Sequence, residues 1–354
     1  MLQQGQFIAI VIFEDIAARL SAKLKTPIRT FFLPLFLGAL LAIAQRRTVT
    51  KWLRAAGLSE DFRKIFYHMR GIGRKHQDLF DEMLGIILEQ LGDVLETAPS
   101  IRLVLDDTPT KRYGGKVEGA GHHHNPTPGK TDATFCFGHS WVVCALVVTH
   151  PLFGEISLPI AAELYLRQKE VDKLKDRYGR QFQKKTEIAV SIVKRLVPQF
   201  KVFEKNIEVI VDGGYSNETV LSPLNTLPNV TVITRLRRDA VLFEKPPVLK
   251  GRGRGRPKKY GKRIDVKSMV DSAQDWRWVE CRQYGQIVQK QVKSFVATSR
   301  VTRGAPIKIV IVKEATGIWV PLMTTDVQAT DVEVLESYAV RFGIEETFKD
   351  LKEV

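Results

Sequence analysis

The sequence has few cysteines, no long apolar run and no secretion signal. Its three cysteines, Cys136, Cys144 and Cys281, show no CxxC spacing, which argues against a disulfide framework and a zinc site. The most apolar stretch, residues 31–44, contains Pro34 and is shorter than the roughly 20 residues that a bilayer span requires. The N-terminus lacks a cationic region followed by an apolar core. We therefore expect a cytoplasmic protein with no membrane partner.

Acidic residues are also fewer than basic residues. The chain has 39 Asp and Glu against 54 Lys and Arg, which gives a net charge of +15 and a pI near 9.7. A positive field of this size attracts polyanions, so a nucleic acid is the first partner to consider. The 354 residues, 44% of them hydrophobic, are enough for two or three domains with a buried core. A disordered tail is thereby excluded.

Residues 1–98 are predicted to form a helical domain. Apolar side chains recur three and four positions apart, as in Met83, Leu84 and Ile87. Within this region, residues 46–59 (RRTVTKWLRAAGLS) place cations beside a turn, a pattern compatible with a helix-turn-helix. A solvated basic helix explains the same pattern, and the sequence leaves both interpretations open.

Strand-like and helical segments alternate from about residue 100 onward. Short apolar runs, such as 103–105 and 207–211, are typical of buried strands and predict a mixed α/β sheet flanked by helices. Its first part is predicted over 99–239 and its second part over 306–354. The intervening segment, 240–305, opens with a Gly/Arg/Lys run and continues with strand-like sequence. We interpret it as a basic, β-rich insertion.

Two of the predicted strands end in aspartate. The run IRLVLDD reaches Asp106 and the run IEVIVDGG reaches Asp212. The carboxyl ends of central strands are where α/β sheets bind their ligands, so both acids are candidate site residues. Strand-terminal aspartates also begin turns or cap helices, and either one alone fits that role. Asp107 is the register alternative to Asp106.

The C-terminal helix carries a polar stripe. At about 100° per residue, Tyr338, Arg341, Glu345 and Lys352 fall within an arc of roughly 60°, away from the helix's apolar face. Glu346 lies about 100° from Glu345, so the two acids are not interchangeable. Glu345 is therefore the better candidate for a site residue. A surface ion pair between Arg341 and Glu345 is the simpler explanation for the spacing of those two residues.

The spacing of these four residues resembles the signature of bacterial insertion-sequence DDE transposases of the YREK group, and all four positions match. The stretches VLDDT and IVDGGYSN resemble that family's first and second aspartate motifs. The resemblance covers about residue 100 to the end. It implies a ribonuclease-H-like fold with an insertion between the second aspartate and the glutamate.

The resemblance also implies a chemistry. Asp106, Asp212 and Glu345 would be the catalytic carboxylates and would bind two Mg²⁺ ions, for which Mn²⁺ can substitute, with Asp106 shared between them. Water would free a 3′-hydroxyl at each transposon end, and that hydroxyl would attack target DNA. A homodimer acting on paired terminal inverted repeats is implied. Arg341, Lys352 and Tyr338 are suited to phosphates beside the cut.

Further cations are candidate DNA ligands. Arg235 and Arg237 follow a predicted strand, and a solvated basic edge is the alternative. Arg254, Arg256 and Lys258 resemble an AT-hook, and a flexible basic linker is the alternative.

Aromatic and histidine residues give weaker indications. Trp276 and Trp278 suggest base stacking or, more simply, packing. The triplet at 122–124 is predicted in a loop, and its adjacent histidines point in different directions, which disfavours a zinc site.

Two alternatives to a cut-and-paste transposase stay open. The chain ends soon after Glu345, whereas the family's glutamate helix usually continues, so we expect a truncated copy. A truncated or domesticated relative would bind DNA without cutting it. A nuclease of the same fold would cut without joining strands. In each case the expected location is the bacterial cytoplasm, with the protein held at the nucleoid by DNA.

Overall fold

The computed structural model describes residues 2–41, 48–58, 62–124, 133–150, 152, 154–179, 181–247, 258–314 and 317–352. The chain divides into two compact units, Met1–Val94 with Lys349–Val354, and Leu95–Phe348. No described helix is long and apolar enough to cross a membrane.

The N-terminal region is entirely helical over its described residues, as predicted. Its helices are α1 (Leu2–Ala22), α2 (Thr26–Leu41), α3 (Val49–Ala55), α4 (Phe62–Gly73) and α5 (His76–Thr97).

A small core joins α2, α3 and α4. It is built on the buried Leu35, Leu53 and Ile65, one from each helix. Gly38 allows α2 and α3 to approach closely, because a Cβ there would lie 2.0 Å from the Trp52 carbonyl oxygen. The turn that follows α3 uses Gly57 at φ +74°. Helix α3 and the turn at Gly57 thus occur where the sequence allowed a helix-turn-helix, and α4 is the next helix in the chain. Arg46, Arg47 and residues 59–61 lie outside the described residues.

The second unit is built on a large sheet. Its strands are β1 (Ile101–Lys111), β2 (Gly121–His124), β3 (Phe135–His150), β4 (Gly154–Tyr165), β5 (Ile207–Val211), β6 (Val230–Arg235), β7 (Leu242–Phe243), β8 (Arg277–Gln283), β9 (Gln286–Ser299), β10 (Pro306–Lys313) and β11 (Trp319–Thr324). Its helices are α6 (Gln168–Tyr178), α7 (Lys185–Leu196), α8 (Glu218–Leu224), α9 (Val266–Asp271), α10 (Asp331–Ala339) and α11 (Phe342–Lys352). Short 3-10 helices occupy Val197–Phe203, Gly213–Tyr215 and Arg300–Thr302.

The strand order is β2-β3-β1-β5-β6-β11-β10-β9-β7, with β4 on β3 and β8 on β9. β1, β5 and β6 are parallel, and the other pairs are antiparallel. The predicted mixed α/β sheet flanked by helices is therefore confirmed. Because β1 and β5 run parallel up to Leu105 and Val211, the residues that follow this pair lie at one edge of the sheet.

Central strands are apolar on both faces, since helices cover each side. On one face, Val104 and Ile210 pack in a cluster with Leu335, Ile344 and Phe348 of the C-terminal helices. α7 packs against β3 and β4. Its apolar side chains are buried because the spacing of Ile188, Ile192 and Val193 places them together on one helix face.

The segment predicted as a β-rich insertion does contain strands, but they extend the central sheet. β10 pairs along its whole length with the second part of β9. β8 forms a hairpin with β9, and β7 pairs with the end of β9. The sheet continues across the domain boundaries that were predicted at residues 239/240 and 305/306. Those boundaries stay predictions.

The predicted single C-terminal helix is wrong in one respect: α10 and α11 are separate helices. The amides of Arg341, Gly343 and Ile344 bond to carbonyls three residues earlier, so the chain turns more tightly there than an α-helix. Tyr338 ends up in α10, Glu345 in α11, and Arg341 at the turn between them.

Candidate active site

Asp106 and Asp212 both follow the end of the parallel β1–β5 ladder. The last residue pair of the parallel β1–β5 ladder is Leu105 with Val211. Asp106 and Asp212 are the next residues in the two segments. β5 ends at Val211, directly before Asp212, as predicted, whereas the prediction that the first strand ends at Asp106 is wrong, because β1 continues to Lys111 by pairing with β3. Asp106 is largely buried, with about 19% of its side chain exposed.

Acidic charge accumulates at this edge. The pKa of Asp106 is raised to about 7, mainly by burial and also by the charges of Asp107 and Asp212, which together outweigh the lowering by the Asp107 amide and Arg341. A carboxyl whose pKa rises in this way is short of compensating positive charge. Additional cationic charge is therefore favoured at this edge.

Arg341 supplies part of that positive charge. Its Nη1 lies 3.2 Å from Asp106 Oδ2, and its Nη2 lies 2.5 Å from Glu345 Oε1. Its guanidinium carbon is 5.9 Å from the centroid of the Tyr338 ring. The ion pair between Arg341 and Glu345 that the sequence allowed is thus present. It is not a simple surface pair, because the same guanidinium also contacts Asp106.

The acids do not form a ready-made metal cage. Within the described part of the chain, no three His, Cys, Asp or Glu side chains are arranged to hold a metal ion. Arg341 contacts both Asp106 and Glu345. Any cation shared by those two carboxylates has to displace its guanidinium.

Asp107 has a different environment from Asp106. Successive side chains of a strand point to opposite faces, so Asp107 faces away from Arg341. It pairs with Lys185 at the start of α7, and the Tyr215 hydroxyl donates to Asp107 Oδ1 at 3.1 Å. Burial raises the pKa of Tyr215, so this hydroxyl stays protonated and remains a donor. Both oxygens of Asp107 are thereby occupied.

Asp212 also caps the turn that follows it, as the simpler interpretation of its sequence predicted. Its Oδ2 accepts from the Gly214 amide at 3.4 Å. Gly213 lies against β6, where a Cβ would meet the Arg235 carbonyl oxygen at 3.2 Å. Capping and proximity to Asp106 are compatible, since the cap uses one carboxylate oxygen.

The remaining predicted DNA ligands differ in position. Arg235 is exposed at the end of β6, near enough to Tyr338 to affect its pKa, which burial raises. Arg237 instead pairs with Asp239, with Nε 3.0 Å from Oδ1. Lys258 is exposed.

Three predicted ligands cannot be described. Arg254 and Arg256 lie outside the described residues, and so does the side chain of Lys352.

Sequence patterns did not reveal Lys185 or Tyr215. Lys185 begins a helix in a run of cations, and nothing in that run distinguishes it from its neighbours. Tyr215 lies three residues after Asp212 in IVDGGYSN, and only its burial beside three acids sets it apart.

The histidine triplet was predicted in a loop, and that prediction is wrong. Residues 122–124 pair with β3 as strand β2, because alternate side chains there pack against the sheet. Burial lowers the pKa of His123 to about 4.

The two tryptophans of the predicted insertion have different surroundings. Trp276 has Lys293 Nζ 4.9 Å and Lys313 Nζ 5.7 Å from its ring centroid, which indicates packing. Trp278 is 67% exposed.

A large mixed sheet flanked by helices, with two acids directly beyond the parallel β1–β5 ladder, defines the class of this protein as α/β. The family model of the DDE superfamily endonucleases matches residues 19–291. The chain therefore belongs to the DDE superfamily endonucleases. The matched range includes Asp106 and Asp212 and ends before Glu345.

Other comparisons add little. No curated protein sequence matches the chain. Among solved structures, the chain is similar to a piggyBac transposase in a synaptic complex with hairpin DNA, at 10% identity and a TM-score of 0.35. The alignment covers 90% of this chain and 58% of that one. The chain thus spans less than two thirds of that transposase, and a likeness this slight carries no argument.

Proposed function

We propose that this DDE endonuclease is a cut-and-paste DNA transposase of the YREK insertion-sequence group, with Asp106, Asp212 and Glu345 as its catalytic carboxylates. One arrangement carries the proposal: Asp106 and Asp212 directly follow the last residue pair of the parallel β1–β5 ladder, and Arg341 joins Asp106 to Glu345. Arg341, in the C-terminal segment, thereby contacts Asp106, which lies 235 residues earlier in the chain. Ligands of α/β sheets bind at this kind of edge.

The residues at this edge fit divalent metal. Carboxylate oxygens are the hard ligands that Mg²⁺ and Mn²⁺ prefer. The raised pKa of Asp106 indicates a need for positive charge beyond that of Arg341. Asp106, Asp212 and Glu345 would hold the ions, which when bound activate water and stabilise charge on a phosphodiester.

Arg341 and Tyr338 would act on DNA. The guanidinium of Arg341 holds carboxylates in the free protein, and a phosphate offers it the same paired oxygens. We therefore assign Arg341 to a phosphate beside the cleaved bond, with Tyr338 and Arg235 as neighbouring phosphate ligands. Lys352 has the same assignment from its motif position. Asp107 is not assigned to metal, because Lys185 and Tyr215 already occupy its oxygens.

The test is cleavage and joining of duplexes that carry the sequences flanking the gene, where terminal inverted repeats are expected. With Mg²⁺ or Mn²⁺, the protein should nick at the repeat ends and transfer the freed 3′-hydroxyl to a second duplex. Asp106→Asn, Asp212→Asn and Glu345→Gln should each lower cleavage by about 10³-fold or more. Glu346→Gln removes the neighbouring acid of the same helix and should cleave normally.

Other outcomes would support the alternatives. Binding to the repeats without metal-dependent cleavage indicates a DNA-binding relative that has lost turnover. Cleavage without joined products indicates a nuclease of the same fold. Two bound ends per two copies of the chain, measured by light scattering, would support the proposed homodimer.

A further inference from the structure

Helix α4 presents a stripe of arginines and aromatic rings to solvent. Its exposed residues are Arg63, Phe66, Tyr67, Arg70 and, just beyond its end, Arg74. These positions are three, four, seven and eleven residues after the first, so they fall within an arc of roughly 100°. Phe66 is 51% exposed and Tyr67 is 77% exposed. We call these five residues the α4 stripe.

The stripe has no role in the core. The opposite side of α4 supplies Ile65, which is buried against Leu53 of α3 and Leu35 of α2, while Met69 and Ile72 pack around them. The helix contains no acidic residue. Within the described part of the chain, the three arginines form no salt bridge with a carboxylate. Both the charge and the aromatic surface of the stripe are thus available to a partner.

The chemistry of the stripe matches duplex DNA. Arginines bind phosphate oxygens and the paired acceptors of guanine, and aromatic rings contact thymine methyl groups and sugars. A helix of 12 residues is about 18 Å long and fits the major groove, which is about 12 Å wide. The short helix α3 precedes α4 in the chain, which is the order in which helix-turn-helix proteins present their reading helix second.

We propose that α4 is the DNA-reading helix of this protein, and that the α4 stripe enters the major groove of the transposon end. Arg63 and Arg74, at the two ends of the α4 stripe, contact the phosphates at the margins of the groove. Tyr67 and Arg70, in the middle of the stripe, contact base edges. The proposal rests on the proposed function, because it takes the transposon end as the sequence that is read.

The experiment measures DNA binding by the full chain carrying Asp106→Asn, so that binding is separated from cleavage. Fluorescence anisotropy compares a duplex bearing the terminal repeat with a scrambled duplex of equal length and composition. Arg70→Ala should weaken binding to the repeat by about 10 to 100-fold and reduce the preference for it. Tyr67→Ala should reduce that preference without any change of charge.

Lys25→Ala is the matched control for charge. Lys25 is an exposed cation of the same helical unit and lies off the stripe, so its loss should change affinity less than about threefold for both duplexes. Circular dichroism and the melting temperature establish that each variant is folded. Arg70→Lys keeps the charge and loses the paired geometry, so it should keep affinity for scrambled DNA while losing preference.

The outcomes are separable. If the parent protein prefers the repeat and the Arg70 and Tyr67 variants show the same preference, α4 does not read DNA. That result overturns the inference and leaves the proposed function standing. A parent that binds both duplexes equally also overturns it. If the chain with Asp106 intact neither binds nor cleaves either duplex, the proposed function fails as well.

Discussion

Asp106 and Asp107 are neighbours in sequence with opposite surroundings. Asp106 faces Arg341, while Asp107 faces Lys185 and Tyr215 on the other side of β1. We infer that Asp107 fixes β1 against Lys185 and Tyr215 and that Asp106 performs the chemistry.

Exchanging each acid for its amide tests this division. Asp106→Asn should abolish metal-dependent cleavage and preserve the fold. Asp107→Asn should leave Lys185 without its anion and lower the free energy of unfolding by about 1 to 3 kcal/mol, with cleavage retained within about tenfold. Urea denaturation and a cleavage assay measure the two effects. If Asp107→Asn cleaves no better than Asp106→Asn, the register assigned here is wrong.

Arg341 occupies the place where cations are expected to bind. It therefore competes with metal in the absence of DNA, since both require the carboxylates of Asp106 and Glu345.

Removing that competitor should favour metal. Arg341→Ala is expected to bind Mn²⁺ roughly tenfold more tightly in DNA-free calorimetry, equivalent to about 1.4 kcal/mol, while it loses cleavage. Arg237→Ala, which removes a surface arginine paired with Asp239, should leave Mn²⁺ binding unchanged. Equal or weaker Mn²⁺ binding by Arg341→Ala would mean that the ion pair does not occupy the metal site.

At the scale of elements, the contact between α2 and α3 depends on a missing side chain. A Cβ at Gly38 would lie 2.0 Å from the Trp52 carbonyl oxygen, and backbone cannot move aside as a flexible side chain can.

Two glycine substitutions in helices of the same unit should have opposite effects. Gly38→Ala should destabilise the helical unit by about 1 to 3 kcal/mol, because the added methyl group forces the helices apart. Gly92→Ala, in α5 with open space around it, should stabilise by up to about 1 kcal/mol because alanine is the better helix former. Thermal unfolding followed by circular dichroism compares them. Equal stability of the two variants would contradict the close approach.

Helix α10 is tied to the sheet by a buried acid. Asp331, with 3% of its side chain exposed, pairs with Lys308 of β10 at 3.0 Å and with Arg277 of β8. Burial alone would raise the pKa of Asp331, yet the bonds from Arg277 and Lys308 hold it below its ordinary value of 3.8.

The sign of the pH effect follows from this lowered pKa. The stability that Asp331 contributes is present above pH 3.8 and is lost as the pH falls through its lower folded-state pKa. Asp331→Asn should therefore cost about 3 to 5 kcal/mol at pH 7, mostly by leaving Lys308 unpaired, and progressively less below pH 3.8.

Asp239→Asn is the control, because it breaks an exposed pair with Arg237 and should cost at most about 1 kcal/mol. Urea titrations at several pH values measure both variants. A cost for Asp331→Asn that stays constant with pH would refute the assignment.

At the scale of the whole molecule, the proposed function leads us to expect that the charge of +15 governs the encounter with DNA. Each phosphate neutralised releases counterions, so the logarithm of affinity should fall linearly with the logarithm of salt concentration.

For roughly six or more phosphate contacts, affinity should drop by about 10³-fold or more between 50 and 200 mM salt. Removing one phosphate-binding cation should reduce the slope by about 1. Anisotropy titrations at several salt concentrations give the slope. A flat dependence would mean that the excess charge is not used to bind nucleic acid.

Much of the fold was readable from the sequence. Short apolar runs such as 103–105 and 207–211 are typical of buried strands, and the helical spacing of residues 1–98 is an equally local signal. Since aspartate follows each of two such runs, an acidic sheet edge could be predicted before the strand order was known.

Tertiary structure alone decided the rest, because it depends on residues far apart in the chain. Asp106 is distinguished from Asp107 by which sheet face meets Arg341, 235 residues away, and which meets Lys185, 78 residues away. Likewise, the strands of 240–305 join the central sheet through pairing with β10, and local sequence cannot specify a partner strand. The sequence thus determined that an aspartate follows each of two buried apolar runs, whereas packing determined the partners of those aspartates and the continuation of β1 to Lys111 along β3.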